Sequence, residues 1–216
     1  MLFRSGDTKV VEKGHGDGLF ISTSGLGEKI PGTCVSGKSA KPGDVVLVTG
    51  TMGDHGITIL SQREGLGFEA QVQSDTAPLN HITEALLTAL GEQVHVLRDP
   101  TRGGLATTLN EIAAQSKVSI EIDEQAVPIH PAVASACEFL GLDPLYIANE
   151  GKLIVIVEED VAQEALSIIR SCKYGENAAV IGRVSSEQPG FVSMKTAIGG
   201  KRLVDWLNSD PLPRIC

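Results

Sequence analysis

The pattern of apolar and polar positions divides most of the chain into short strands and amphipathic helices. Apolar runs bounded by turn residues predict β-strands at VVLV, VHVL, VSIEI, KLIVIV, AAVIGRV and GFVSMKT. The KLIVIV run is apolar at consecutive positions, which is typical of a strand buried on both faces. We therefore expect Ile154 and Ile156 to be buried in a central strand of a compact domain that starts near residue 44.

Helical periodicity fills the segments between these strands. Apolar residues at helical spacing predict helices at ITILSQRE, at PLNHITEALLTAL and in the stretch after EED. The same spacing relates Leu105, Leu109 and Ile112. Cys172 falls on the apolar face of the last helix, which makes it an ordinary core position. Because strand and helix signals interleave along the chain, the predicted fold class is α/β (α+β).

The first forty residues follow a different pattern. GDTKVV and DGLFISTSGLGE predict two strands bounded by glycines, and two strands do not make a domain by themselves. We interpret residues 1–40 as the remnant of an N-terminal domain sheet and residues 41–207 as a second, α/β domain. Residues 208–216 are predicted to be a flexible tail.

Composition and charge exclude several classes of protein. The net charge of −9 and the pI near 5.0 do not provide the basic surface that general nucleic-acid binding requires. No apolar run approaches the roughly 20 residues of a membrane span. The four cysteines show no metal-ligand spacing and no other sign of a secreted protein, so we expect reduced thiols and a cytoplasmic location.

Asp7 and Lys9, in GDTKVV, are candidates for binding a magnesium-bound phosphate. They lie on the same face of the predicted strand, since side chains alternate along a strand. A carboxylate beside an ammonium suits a phosphate with its Mg²⁺. From these two residues alone, a solvated surface ion pair is the stronger interpretation.

The RDPTRGG stretch is a second candidate for anion binding. Asp99 or Thr101 is expected to cap the helix that follows, which puts Arg102, Gly103 and Gly104 at a helix N-terminus. Amide N–H groups at such an end favour an anion. A tight loop-to-helix turn without a ligand is the alternative. GTMGDHG is also a glycine-rich turn before a helix, but it lacks the spacing of a P-loop.

Two further features carry potential chemistry. Glu150, in IANEGK, precedes the most apolar strand, where a carboxylate with a raised pKa can accept a proton; a plain loop carboxylate is an equal alternative. The chain ends in SDPLPRIC, where Pro211 and Pro213 disfavour regular structure and Cys216 is the last residue. This tail is expected to be a short, stiffened arm with a thiol at its tip. From the end of the chain alone, an accidental end is the stronger interpretation.

Taken in order, GDTKVV, KPGDVVLVTGTMGDHG, RDPTRGGL, IANEGK and the terminal PRIC resemble the HypE family of hydrogenase-maturation proteins. HypE proteins are carbamoyl dehydratases of the superfamily that includes aminoimidazole ribonucleotide synthetase. The resemblance covers Gly6 to Cys216, and the terminal cysteine is its most specific element. HypE proteins have a further N-terminal region, so the resemblance implies an N-terminally truncated member with an intact C-terminal domain.

The resemblance implies roles for the candidate residues. The carbamoyltransferase HypF would load a carbamoyl group on Cys216, and ATP-dependent dehydration would convert it to a thiocyanate, the source of cyanide for [NiFe] hydrogenases. Lys9 would be the cation and Glu150 the base, while Asp7 would hold Mg²⁺ and ATP. Arg102, Gly103 and Gly104 would face the phosphates. The HypC–HypD complex and a second copy of the full-length protein are the other implied partners.

Two alternatives to this enzyme remain open from the sequence. The chain is either a catalytic dehydratase or a non-catalytic module that only presents Cys216 to partners. A different enzyme of the superfamily, such as a small-molecule phosphotransferase, is disfavoured because its members need no terminal thiol.

Overall fold

The computed structural model describes residues 27–64 and 72–207. Within these residues seven strands form one sheet in the order β2-β4-β1-β5-β3-β6-β7. Neighbouring strands are antiparallel, except that β3 and β6 are parallel. The strands are β1 (Val45–Val48), β2 (Val94–Arg98), β3 (Ser119–Asp123), β4 (Ile154–Val157), β5 (Ala179–Ser185), β6 (Val192–Lys195) and β7 (Lys201–Leu203).

Helices cover both faces of the sheet and confirm the mixed α and β class. The helices are α1 (Asp54–Glu64), α2 (Asn80–Leu90), α3 (Gly104–Ser116), α4 (Pro131–Leu140) and α5 (Ala162–Ser171). Helix α3 packs on one face, and α2 and α5 pack on the other. Helices α1 and α4 share a third, smaller core. None of the helices in the described ranges is long and apolar enough to cross a bilayer.

Strand β4 is buried on both faces, as its continuous apolar run predicts. Ile154 and Ile156 are each 0% exposed and belong to the core beneath α3. Val155 and Val157 alternate with them and belong to the core beneath α2 and α5. The predicted interior strand is therefore confirmed, and it lies between β2 and β1.

Two of the thiols pack in or against the hydrophobic cores, which confirms the prediction for Cys172. Cys137 is buried between α1 and α4, and burial, with the nearby carboxylate of Asp143, raises the pKa of its thiol to about 11. Cys172 is partly buried against the core beneath α2 and α5. Cys34, by contrast, is exposed.

The predicted start of helix α3 is wrong. The helix begins at Gly104, and its N-cap is Gly103, whose φ of +67° lies in the left-handed region. Asp99 and Thr101 do not occupy the capping position, because the N-cap residue is Gly103, which has no side chain. A left-handed glycine turns the chain into the helix instead, so Arg102 lies just before the helix rather than within its first turn.

Candidate active site

The sheet topology brings three of the sequence motifs together at one end of the strands. Strand β4 is antiparallel to both of its neighbours, and its first residue, Ile154, pairs with the last residues of β1 and β2, Val48 and Arg98. The loops that follow β1 and β2 therefore lie beside the loop that precedes β4. These loops contain GTMGDHG, DPTRGG and IANEGK.

Asn149 joins the three loops with its side chain. Only 1% of this residue is exposed. Its Oδ1 accepts a hydrogen bond from the Gly53 N–H at 2.8 Å, and its Nδ2 donates to the carbonyl oxygens of Pro100 and Ile147, both at 3.0 Å. One buried amide thus satisfies backbone groups from all three motifs. The sequence shows Asn149 beside Glu150 but carries no signal for this role, since the partners are distant in the chain.

Asp75 fixes the backbone at Glu150. Its Oδ1 accepts hydrogen bonds from the N–H groups of Glu150 at 3.0 Å and Gly151 at 3.3 Å. A Cβ atom at Gly151 would collide with the carbonyl oxygen of Asp75, so glycine is required there for the close approach. Glu150 itself is half-buried. The structure therefore places the candidate base on a loop held from two sides, and Asp75 is a second residue that sequence reasoning missed.

Asp54, at the start of α1, forms a charged group with Thr51 and Lys152. The Thr51 hydroxyl donates a hydrogen bond to Asp54 Oδ2, and the Lys152 Nζ lies 3.9 Å from the same oxygen. Burial raises the pKa of the Asp54 carboxyl, although Thr51 and Lys152 act in the opposite direction. The nearby charge of Asp75 adds to the increase in this pKa.

Two carboxylate oxygens near the three loops are buried without a hydrogen-bond partner among the residues that the structure describes. They are Asp54 Oδ1 and Asp75 Oδ2. Such groups are uncommon in folded proteins and call for an explanation, such as a functional role or an unseen water or ion. In residues 27–64 and 72–207 no group of three or more His, Cys, Asp or Glu side chains is arranged to hold a metal ion.

The Gly103–Gly104 pair has a structural explanation within the fold. Both residues have positive φ, +67° and +63°. A Cβ at Gly103 would collide with the Thr107 hydroxyl, and a Cβ at Gly104 would lie 2.5 Å from the Leu145 carbonyl oxygen. The backbone conformation and the contact with residues 145–147 therefore require these glycines. Their predicted contact with ATP, like that of exposed Arg102, stays a prediction.

The remaining candidate residues lie outside the described part of the chain. Asp7 and Lys9 fall within residues 1–26, and Cys216 falls within residues 208–216. The role of Lys9 as the cation, the Mg²⁺ site at Asp7 and the flexibility of the tail therefore stay predictions.

Comparison with known proteins identifies the domain. Residues 41–195 match the family described as "AIR synthase related protein, C-terminal domain". The carbamoyl dehydratase HypE of Azotobacter vinelandii is 54% identical over 212 residues, which are 98% of this chain and 62% of that protein. The HypE of Escherichia coli K12 is 46% identical over 213 residues and is covered to the same 62%. The chain thus spans less than two thirds of the length of these relatives.

Solved structures show the same fold. A crystal structure of hydrogenase maturation protein HypE aligns with a TM-score of 0.80 at 54% identity, over 84% of this chain and 58% of that one. A HypE structure in complex with ATP and a HypE–HypF complex align with TM-scores of 0.79 and 0.77. Thiamine monophosphate kinase from Aquifex aeolicus, at 23% identity and a TM-score of 0.50, shares the fold alone. The chain belongs to the AIR synthase-related family, and its resemblance to the HypE branch of that family is confirmed.

Proposed function

We propose that this chain acts as the C-terminal domain of an ATP-dependent carbamoyl dehydratase. The carbamoyl group is carried on Cys216 and loses the elements of water to become a thiocyanate, which supplies the cyanide ligand for [NiFe] hydrogenase maturation. The proposal is supported by similarity to proteins named carbamoyl dehydratase HypE and by the HypE structure that contains ATP.

The observation that supports this chemistry most directly is the fixed backbone of Glu150. Asp75 holds its backbone N–H, and Asn149 ties its loop to the two neighbouring loops. A carboxylate on a rigid loop at the edge of a buried strand is suited to accept protons, because little reorganisation precedes the transfer. In the proposed reaction Glu150 accepts an N–H proton from the carbamoyl group.

The atoms balance with ATP as the second substrate. The carbamoyl oxygen attacks the γ-phosphorus of ATP, and ADP leaves. The nitrogen then loses its two protons, one to Glu150 and one to the departing phosphate, while the C–O bond breaks, which gives S–C≡N and inorganic phosphate. Phosphorylation is needed because oxygen leaves poorly until it is bonded to phosphorus. Asp7, with a bound Mg²⁺, and Arg102, Gly103 and Gly104 are proposed to hold ATP, and Lys9 is proposed to be the cation near the phosphate.

The proposed partners follow from the same family. A carbamoyltransferase of the HypF type is proposed to load Cys216, since a solved HypE–HypF complex has a HypE chain 50% identical to this one. The HypC–HypD complex is proposed as the acceptor of the cyanide group. We also propose a homodimer for a protein with the whole family length, and a cytoplasmic location.

The experiment uses the chain with any upstream coding sequence that its gene supplies. The protein is incubated with a HypF-type carbamoyltransferase, carbamoyl phosphate and ATP, and the intact mass is followed. We expect a carbamoyl adduct on Cys216 that becomes lighter by one water. The Cys216→Ala variant should remain folded and gain no adduct. An adduct that forms and never loses water would favour the alternative, a module that only presents Cys216 to its partners.

A further inference from the structure

Lys152 is a largely buried lysine whose charge has no close counter-ion in the described part of the chain. Its side chain is 11% exposed, and the acid that lies within 4.0 Å there is Asp54, at 3.9 Å from Nζ. Asp54 Oδ2 is already engaged by the Thr51 hydroxyl. Buried lysines are normally closely paired, because desolvation penalises an isolated ammonium. Among residues 27–64 and 72–207, no carboxylate is therefore close enough to neutralise the Lys152 ammonium fully.

The lysine stem lies across the end of β1, where the three loops meet. A Cβ at Gly50 would lie 3.1 Å from Lys152 Nζ and 3.4 Å from two carbons of the stem. The neighbouring backbone is fixed, because Thr49 N–H donates to the Leu153 carbonyl at 3.0 Å and Leu153 N–H donates to Thr49 Oγ1 at 2.9 Å. The small residue at position 50 therefore leaves room for an ammonium two residues from Glu150.

Asp54 is a weak counter-ion for this lysine. Burial disfavours its charged form and raises the pKa of its carboxyl. Its Oδ1 is buried and has no hydrogen-bond partner among the described residues, so the carboxylate is not stabilised on both oxygens. The other charged groups that influence it are Asp75, which disfavours ionisation, and His130, which favours it. An arriving anion would therefore compete well with Asp54 for the ammonium.

We infer that Lys152 contacts the phosphoryl group that is transferred during the dehydration, and that Asp54 and Thr51 position it. The inference rests on the proposed function. The γ-phosphoryl group carries negative charge while it moves from ADP to the carbamoyl oxygen, and again when phosphate leaves as the C–O bond breaks. An ammonium that donates hydrogen bonds to these oxygens stabilises both steps and neither gains nor loses a proton. Lys152 would act in addition to Lys9, not in its place.

The test is a single turnover that needs no partner protein. Thiols react with cyanate faster than amines do and give the S-carbamoyl group, so Cys216 is loaded by a brief cyanate treatment near neutral pH. A Cys34→Ser background removes the thiol that is exposed among the described residues. The cyanate is removed, ATP and Mg²⁺ are added, and loss of one water is followed by mass spectrometry. We expect Lys152→Met to slow this step by roughly 10²–10³-fold. Lys152→Arg should recover part of the rate, and Lys38→Met, at an exposed lysine, should match the parent.

The positioning role of Asp54 is tested with a double-mutant cycle. Asp54→Asn alone should slow the turnover by about tenfold and should have no further effect when Lys152→Met is already present, since interacting residues are not additive. If the Lys152→Met protein does not fold, the double variant Asp54→Asn/Lys152→Met, which removes both charges, is used instead. Its turnover rate is then compared with that of Asp54→Asn, and the difference gives the effect of Lys152.

Each outcome separates the inference from the proposed function. A loaded parent protein that never loses water with ATP refutes the proposed function, and the inference with it. An active parent together with Lys152→Met at the parent rate refutes the inference alone. If Asp54→Asn slows the turnover by the same factor in the parent and in the Lys152→Met protein, the positioning role of Asp54 is refuted.

Discussion

Replacing Asn149 with alanine tests whether one side chain holds the three loops together. The substitution removes the acceptor for the Gly53 N–H and the side-chain donor for the Pro100 and Ile147 carbonyls. A buried polar group left without its partner costs about 1–3 kcal/mol. The Pro100 carbonyl still accepts the Asn149 backbone N–H at 3.3 Å, so its loss is partial. We therefore expect Asn149→Ala to lower the free energy of unfolding by about 3–5 kcal/mol.

This loss is large beside the roughly 5–15 kcal/mol total stability of a typical domain. Urea unfolding followed by far-UV circular dichroism measures it by linear extrapolation. The matched control is Asn177→Ala at an exposed asparagine, which should change stability by less than about 0.5 kcal/mol. If Asn149→Ala costs less than about 1 kcal/mol with an unchanged m-value, the three loops do not depend on this amide.

Three other changes follow from the described contacts. Gly104→Ala should be far more destabilising than Gly141→Ala in thermal unfolding. Both glycines have φ near +65°, but the new Cβ would lie 2.5 Å from a carbonyl oxygen at Gly104 and in open space at Gly141. Equal losses of stability would show that the contact with residue 145 relaxes. Ile156→Ala should lower the free energy of unfolding in urea by about 2–5 kcal/mol, since the side chain is 0% exposed, and a loss below about 1 kcal/mol would contradict its place in the core. Asp54→Asn should change how stability depends on pH, because the folded state keeps the Asp54 proton to higher pH than the unfolded chain does. The parent should therefore lose stability relative to the variant as pH rises from about 4 through the raised pKa of Asp54. Parallel curves of stability against pH for the two proteins would contradict this.

The sequence predicts the strands and helices well but not the contacts that build the site. The unbroken apolar run at KLIVIV was sufficient to predict a doubly buried strand, because burial on both faces leaves no polar positions. The start of α3 was mispredicted, since a left-handed glycine rather than a side chain turns the chain into the helix. The glycines at 103 and 104 suggested a ligand in preference to a simple turn, and only the packing of Thr107 and Leu145 explains them structurally.

Asn149 and Asp75 lay beyond sequence reasoning for a different reason. Their side chains bond to backbone groups whose positions depend on the antiparallel placement of β4 between β2 and β1. Backbone acceptors and donors carry no residue signature, so no pattern in the sequence marks them. The motif around Glu150 was visible, but the contacts that hold its backbone in place were not.

The central claim is tested most directly by the fate of a carbamoyl group on Cys216 when Glu150 is changed to glutamine. Glutamine keeps the backbone N–H that Asp75 holds, so the loop should be unchanged, but it cannot accept a proton. With cyanate-loaded protein, ATP and Mg²⁺, intact-mass spectrometry should show the parent losing one water, and Glu150→Gln should keep its adduct with a rate lower by about 10²–10⁴-fold. Loss of water from Glu150→Gln at the parent rate would contradict the account.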